Sequence, residues 1–480
     1  MSSLIPEKIM RLARAVRDEG GRALMVGGCV RDRLMGREAK DWDIEVYGVE
    51  PTVLRGLLDR LGRVNVVGEA FTVYKLGHDL DVSVPRRERK MGRGHRAFFI
   101  EGDPSMSFED AARRRDFTVN AILEDPLGGE LLDPFGGRED LKRKLLRAVS
   151  PETFVEDSLR VLRAAQFAAR FDFDIEPATV ELCRSIDLTD LPAERIWGEL
   201  EKILLVAPRP SVGLRWLDSL GATEHLFPEL HALKDVPQEP EWHPEGPVDA
   251  HSWLTCDRAR ELLGDLDYPR QATVMLAALC HDFGKPATTE FIEGRIRSRG
   301  HEEAGVQPTL SFLDRLKVFT LDGYDVRSQT IALVRYHLKP GELYRRREEI
   351  SDGAFRRLAR RCELELLYRV AKADSLGRNA PWVARERWYD AEAQEWFIAR
   401  ARELAVERRP PAPLLLGRHL LEMGLSPSPR VGEITRAVYE MQLDGRVRTL
   451  EEAKEEARAL LDATREDSAA ESDVDAGGCL

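Results

Sequence analysis

The hydrophobic pattern of this chain changes period once, near Ser150, and that change limits the folds open to it. Between Arg22 and Val149, short β-rich runs (ALMVGG, WDIEVYG, RVNVVG, FTVYKLG, LDVSV) alternate with glycines and helical stretches, the pattern of a mixed sheet with helices. Beyond it, EDSLRVLRAAQFAARF and ERIWGELEKILL space their apolar residues by three and four, as amphipathic helices do. Two periods in separate blocks predict an α+β protein, a mixed-sheet unit followed by all-helical regions. At 480 residues the chain is also too long for one core, and roughly 100–200 residues per domain predicts three or four domains. Proline-rich breaks at 236–247 (VPQEPEWHPEGP) and 407–414 (ERRPPAPL) mark domain edges.

A hydrophobic fraction of 43% with 32% charged residues belongs to a globular protein with charged helix faces, not to a disordered one. No apolar run approaches the roughly 20 residues that span a bilayer, so no membrane partner is expected. The opening segment, MSSLIPEKIMRLARAVRDEG, reads as an amphipathic helix with Ile9, Leu12, Ala13 and Val16 on one face rather than as a signal peptide. A cytoplasmic location is the expectation, and six scattered cysteines without a Cys-x-x-Cys pair fit reduced core thiols. The net charge of -12 argues against indiscriminate coating of nucleic acid. Local basic runs, PRRERKMGRGHR at 85–96 and RRR at 113–115, can still meet RNA phosphates, although either alone reads equally well as solvated loop charge.

The run VGGCVRDRLMGREAKDWDIEV, from Val26 to Val46, predicts strand, Gly-Gly turn, helix start and second strand. Gly27 and Gly28 lack a Cβ, so backbone N–H groups there can approach a phosphate closely. On a strand, Asp41 and Asp43 share one face while Trp42 takes the other. Two carboxylates so placed repel unless a divalent cation neutralises them, and oxygen ligands suit Mg²⁺. An Asp-x-Asp by itself is more often a solvated edge; its spacing from the Gly-Gly turn favours a site. Further on, Asp157 and Arg160 stand three apart in a predicted helix and so face the same way, with Arg163 a turn beyond. Acceptors on the aspartate and forked donors on the arginine can match the Watson–Crick edge of a base, or form a surface ion pair.

The first run resembles the G-G-x-V-R-D…D-x-D signature of the class II nucleotidyltransferases, the family of CCA-adding enzymes and bacterial poly(A) polymerases. RRRDFTVNAI resembles that family's R-R-x-D-F-x-x-N-A motif, and EDSLRVLRAAQF its E-D-x-x-R motif. The resemblance implies a polymerase-β-like head in which Asp41 and Asp43 hold catalytic Mg²⁺, with Asp81 as candidate third carboxylate and Asp79 its competitor. It implies nucleotide binding by Gly28, Arg31, Arg114, Arg115, Asp116, Asn120, Asp157, Arg160 and Arg163, the Asp157–Arg160 pair selecting CTP and ATP without a template. AERIWGELEKILL, with Glu194, Arg195 and Glu199, resembles a later motif supporting the neck and is expected to be structural. The long basic segment before Arg113 matches a flexible loop that accompanies addition of the terminal A, which argues against a CC-only enzyme.

WHPEGPVDAHSW, LAALCHDFGKPATT, GHEEAG, VRYH and AKADSLGR supply His251, His281, Asp282, His301, His337 and Asp374. Imidazole with carboxylate suits a catalytic metal site better than a structural zinc site. The series resembles the HD superfamily of metal-dependent phosphohydrolases, with His251, His281, Asp282 and Asp374 in the H…HD…D positions. His301 and His337 match the added ligands of two-metal members, and Lys285 matches a lysine that contacts phosphate. The resemblance implies Ni²⁺, Mn²⁺ or Mg²⁺ there, with phosphatase and 2′,3′-cyclic phosphodiesterase activity. The last segment, LLLGRHLLEMGLSPSPRVGEITRAVYEMQLDGRVRTLEEAKEEA, resembles the family's tRNA-holding region, with SPSPRVG where Pro-Gly-Pro is commoner.

The domains expected are a nucleotidyltransferase head at 1–148, a neck at 149–235, an HD domain at 240–380, a helical RNA-binding region at 381–464 and a disordered acidic tail at 465–480. The function implied is addition of C, C and A from CTP and ATP to tRNA 3′ ends. Three alternatives stay open: an A-adding enzyme, a poly(A) polymerase, and a phosphohydrolase with a non-catalytic RNA- or nucleotide-binding head.

Overall fold

The computed structural model describes residues 5–67, 73–90 and 98–462. The chain divides into two compact units, Met1–Ala232 with Arg315–Lys317, and Leu233–Asp314 with Val318–Leu480.

The first unit opens with the helix Glu7–Asp18, which buries Ile9, Leu12, Ala13 and Val16, the residues its sequence spacing placed on one face. The strands of this unit are β1 (Arg22–Val26), β2 (Trp42–Tyr47), β3 (Val64–Val67), β4 (Val73–Leu76), β5 (Leu80–Ser83), β6 (Arg86–Lys90), β7 (Phe98–Gly102), β8 (Leu123–Glu124) and β9 (Leu131–Leu132). Seven of them form one mixed sheet in the order β3-β4-β5-β2-β1-β8-β9. Only β2 and β5 run parallel in it. The alternation of β2 sends Trp42, Ile44 and Val46 into a core shared with Leu12, Leu54 and Leu58. A second cluster, with Leu24, Val26, Tyr47, Ala112 and Leu123, covers the other side of the sheet. The face bearing Asp43 is therefore left partly open at one edge.

β6 and β7 pair antiparallel, from Arg86 opposite Gly102 to Lys90 opposite Phe98. The basic segment expected to be a flexible loop is thus, where described, a two-stranded ribbon; residues 91–97 lie outside the described residues. After the sheet, helices Leu159–Phe171, Ala193–Leu205 and Pro210–Ser219 pack together around Leu162, Ala165, Leu200, Ile203, Leu214 and Leu217.

The second unit is built on helices Val248–Glu261, Tyr268–Cys280, Val326–Tyr336 and Leu364–Gly377. Tyr268–Cys280 buries every residue from Ala272 to Cys280, so it is the central helix, which accounts for its all-round apolar sequence. Helices Gly417–Glu422 and Pro429–Leu443, with a helical segment at 450–462, share their own apolar cluster of Leu420, Ile434, Val438, Val447 and Ala453. The acidic tail expected at 465–480 lies outside the described residues.

The α+β class holds, with one refinement. The regions expected to be all-helical carry short strands: Asp174–Ile175, which pairs with Leu145–Leu146 of the preceding mixed block, and the hairpin Thr289–Ile292 with Arg295–Ser298. The hairpin turns on Glu293 and Gly294, both at positive φ (49° and 79°), the geometry of a tight two-residue reversal. Four-residue strands are too short for their alternation to stand out from helical sequence.

Candidate functional site

In the first unit one cavity of about 800 Å³ gathers the sequence motifs. Its wall includes Gly28, Arg31, Asp41, Asp43, Arg114, Arg115, Asp116, Asn120, Asp157, Arg160 and Arg163, which come from four separate segments. Eight cationic side chains line it against six acidic ones, a balance that suits a polyanionic ligand.

The acidic pair stands where β2 begins. Asp41 precedes the strand and Asp43 lies within it, both exposed, while Trp42 between them is buried, as alternation requires. The parallel register sets Asp43 beside Asp81 of β5. Three carboxylates therefore cluster. The Asp43 carboxyl is raised above its ordinary range by its recessed position and by Asp81 and Asp41, against the pull of Arg115. Asp81 does not line the cavity, and Lys75 Nζ donates to its Oδ2 at 2.9 Å. Its competitor, Asp79, instead pairs with Lys8.

Several of the arginines organise the site from within. Arg31 is buried; its Nη1 donates to Asn120 Oδ1 at 2.7 Å, its Nε to Asp32 Oδ1 at 2.9 Å, and its guanidinium rests 4.4 Å from the Phe171 ring centroid. Asp116 is equally committed. Its Oδ1 accepts from Phe117 N at 2.8 Å and Asn120 Nδ2 at 2.9 Å, and its Oδ2 from Arg163 Nε and Nη2 at 2.9 and 2.6 Å. Burial alone would raise the Asp116 carboxyl, yet Arg163 and these donors hold it below its ordinary value. Arg115 presses on the turn: its Nη1 lies 2.8 Å from where a Cβ on Gly27 would stand.

Asp157 and Arg160 share the cavity but not a helix. The helix runs Leu159–Phe171 with Ser158 as its cap, so Asp157 sits ahead of it, its Oδ1 accepting from Leu159 N at 3.2 Å. This corrects the expectation of two side chains three apart on one helical face: a carboxylate that satisfies free N–H groups at a helix start competes with helical geometry. Arg160 donates through Nη1 to Thr153 O at 2.6 Å and through Nη2 to Arg114 O at 2.5 Å. Burial lowers its pKa, opposed by Asp116 and Asp157. Arg195, read from the sequence as structural, reaches both Asp157 oxygens at 3.3 Å.

Sequence reasoning overlooked Arg37, Lys40, Phe167, Arg170 and Phe171 in this cavity wall. Arg163, Phe167 and Arg170 fall at i, i+4 and i+7, so helical spacing could have found the last two.

The second unit assembles the histidine series. His251 and His281 bring their Nε2 atoms within 3.3 Å of each other, and Asp374 Oδ1 lies 3.1 Å from that of His251. His301 and His337 bring theirs within 3.3 Å beside Asp282. Asp282 serves both groups, its Oδ2 lying 3.2 Å from His281 Nε2 and its Oδ1 3.5 Å from His301 Nε2.

The opposite ring nitrogens are all occupied. Nδ1 of His281, His301 and His337 lies 2.8, 2.8 and 2.6 Å from the carbonyl oxygens of Ala278, Ser298 and Val334. A carbonyl only accepts, so each Nδ1 carries a proton and each ring turns its Nε2 toward the cluster. His251 Nδ1 meets Glu245 Oε1 at 2.7 Å. Imidazole nitrogens and carboxylate oxygens converging this closely fit divalent cations, and carbonyl-anchored imidazoles are the arrangement that orients metal ligands.

Burial, with His301 and His281 nearby, pushes the His337 pKa down to about 3, which keeps it neutral. Burial opposes ionisation of Asp282, yet His281 and Lys285 hold it well below its ordinary range. Lys285 Nζ lies 2.8 Å from Asp282 Oδ2 and donates to Gln238 Oε1 at 2.6 Å. Glu245, which holds His251, went unnoticed in the sequence; it precedes the helix Val248–Glu261, so no helical spacing links the two.

Three family models match the chain: the Poly A polymerase head domain over residues 23–147, the probable RNA and SrmB-binding site of polymerase A over 172–234, and the HD domain over 248–379. Among solved structures, the Bacillus stearothermophilus CCA-adding enzyme in complex with CTP is 20% identical with a TM-score of 0.63, over 97% of this chain and 100% of that one. The Thermotoga maritima CCA-adding enzyme complexed with tRNA_CCA is 22% identical with a TM-score of 0.54, over 96% and 97%. Both are similar in fold. Among curated proteins, the Multifunctional CCA protein of Xanthomonas campestris pv. campestris (strain B100) is 39% identical over 370 residues, 74% of this chain and 85% of that protein. That of Stenotrophomonas maltophilia (strain R551-3) is 38% identical over 371 residues, 74% and 86%. With its head, RNA-binding and HD segments in the order its motifs foretold, the chain belongs to the family of multifunctional CCA proteins.

Proposed function

We propose that this chain is a template-independent tRNA nucleotidyltransferase that adds C, C and A, from CTP and ATP, to tRNA 3′ ends, and that its HD site is a metal-dependent phosphohydrolase. The observation that carries the first part is the single cavity in which Asp41 and Asp43 face Asp157 and Arg160 across a wall of arginines. Asp41 and Asp43 are the residues to hold Mg²⁺, with Asp81 as the neighbouring third carboxylate. Bound there, Mg²⁺ supplies neutralising charge for the attacking and leaving oxygens of nucleotidyl transfer. Arg114, Arg115 and Arg163 offer donors to the triphosphate, while Asn120 and Asp116 hold that group in place. Asp157 contributes acceptors to a base edge and Arg160 donors, since two carbonyls take only two of the five N–H groups of a guanidinium.

In the second unit His251, His281 and Asp374 would hold one ion and Asp282, His301 and His337 another, each Ni²⁺, Mn²⁺ or Mg²⁺. Lys285, positioned by Asp282 and Gln238, contacts the substrate phosphate. Phosphomonoesters and 2′,3′-cyclic phosphodiesters are the substrates expected. The five described cysteines are buried and free, which fits a reducing cytoplasm.

The test uses transcripts ending before CCA, after C and after CC, each incubated with CTP or ATP. C is expected on the first two and A on the third. Addition of A alone to the third identifies an A-adding enzyme, and repeated A on every transcript a poly(A) polymerase. No incorporation alongside phosphoester hydrolysis leaves a phosphohydrolase with a binding head.

A further inference from the structure

The HD site opens into a cavity of about 420 Å³ whose wall extends past Asp282 and Lys285 to Trp242, Arg297, Arg299 and Arg345. None of these three arginines has an ion-pair partner among the described residues, and Arg297 Nε is buried without a hydrogen-bond partner. Uncompensated guanidinium charge beside a cation site calls for an anion of more than one oxygen, which a phosphate group provides.

Trp242 is 39% exposed, unusual for an indole so close to a buried site. Its position is nevertheless held firmly. Glu239 Oε2 accepts from Ile296 N at 3.0 Å, and Glu241 pairs with Arg295 at 2.8 Å, which ties the segment before Trp242 to the hairpin strand Arg295–Ser298. Arg295 and Arg297, two apart and so on one face of that strand, stand 5.4 and 5.9 Å from the indole centroid. The next residue, His243, is bonded to Glu245 at 2.8 Å, and Glu245 also holds His251. One aromatic surface is thus fixed at the rim of a basic cavity. Planar bases stack on such surfaces whatever their identity.

We propose that Trp242 is the base-binding residue of the HD site, with Arg297, Arg299 and Arg345 as phosphate contacts. A base stacked on Trp242 then adds to the hold on the phosphate, so this residue sets how far the site favours an ester that carries a base over one that does not. The inference rests on the phosphohydrolase reading above. In the reaction water adds its oxygen to phosphorus, the P–O bond to the sugar breaks, and the sugar oxygen leaves with a proton.

The test compares adenosine 2′-monophosphate with glycerol 2-phosphate, two monoesters that differ in the base, using the full-length protein supplied with Ni²⁺, Mn²⁺ or Mg²⁺. Trp242→Ala is expected to lower the ratio of the two kcat/KM values roughly tenfold, within the range that loss of one base–aromatic stack produces. Trp242→Phe, which keeps a ring, is expected to return the ratio to within about threefold of wild type. Arg297→Ala with Arg299→Ala is expected to raise KM for both substrates. An unchanged ratio in an active Trp242→Ala enzyme overturns the inference and leaves the phosphohydrolase reading standing. If the wild-type protein hydrolyses neither ester with any of the three metals, that reading falls and the inference with it.

Discussion

Gly27→Ala offers a direct test of how the head cavity is held. Gly27 caps the helix Gly28–Leu34 at φ 72° and ψ -132°, a conformation that residues with a Cβ adopt only under strain of about 1–3 kcal/mol. An added Cβ would also stand 2.8 Å from Arg115 Nη1 and 3.7 Å from Asp43 Oδ2. The guanidinium is the end of a flexible side chain and can retreat, so the clash costs little stability. Its retreat displaces a guanidinium that lines the cavity and offers donors to the triphosphate, so the variant should hold the nucleotide less productively. Stability should fall by about 1–3 kcal/mol, or roughly 2–4 °C of melting temperature per kcal/mol for a unit of this size. Incorporation of both nucleotides should fall at least about tenfold, one decade per 1.4 kcal/mol of lost interaction in the transition state. Gly28→Ala is the control for stability: its added Cβ meets only Arg31 Nη2 at 3.5 Å, and its φ is not positive, so a loss below about 1 kcal/mol is expected. Urea melts and single-nucleotide incorporation kinetics on both variants provide the comparison. Equal losses of stability at the two glycines would refute the claim that the turn and Arg115 are fitted to one another.

Three further outcomes follow from the geometry. Arg195→Ala removes a donor shared by both oxygens of a half-exposed Asp157, so it should alter stability by less than about 1 kcal/mol while reducing discrimination between CTP and ATP several-fold; unchanged discrimination would return Arg195 to a purely structural role. Asp282→Ala removes the carboxylate that touches both histidine groups and should cost the HD site both ions, whereas His337→Ala should cost one; equal metal content in the two variants, by elemental analysis, would contradict two separate ion sites. Asp116→Asn should cost about 2–3 kcal/mol near neutral pH, where the ionised group accepts four charge-assisted bonds. Because the folded-state pKa lies below 3.8, that stability is present above this value and is lost as pH falls through the folded-state value. The gap between wild type and Asp116→Asn, measured by urea melts from neutral to acid pH, should therefore close on the acid side; a gap that widens there would contradict the sign of the shift.

Local pattern was enough to determine the classes of structure and the chemistry of the motifs. The helix face of Ile9, Leu12, Ala13 and Val16, the alternation of Asp41, Trp42 and Asp43, and the apolar helix leading to His281 and Asp282 all depend on periods of 3.6 or 2, which neighbouring residues set. Tertiary structure alone decided which distant groups meet. The parallel register of β2 and β5 chose Asp81 over Asp79 as the neighbour of Asp43, and no spacing along the chain encodes a register. The contacts of Arg195 with Asp157 and of Glu245 with His251 likewise arise where separate segments converge. Asp157 stands ahead of the helix its spacing suggested, where its carboxylate accepts from Leu159 N–H, a contact set by the helix start and not by side-chain spacing. Sequence thus named the candidate metal-holding residues, whose types carry their chemistry with them, and the fold supplied the partners that orient them.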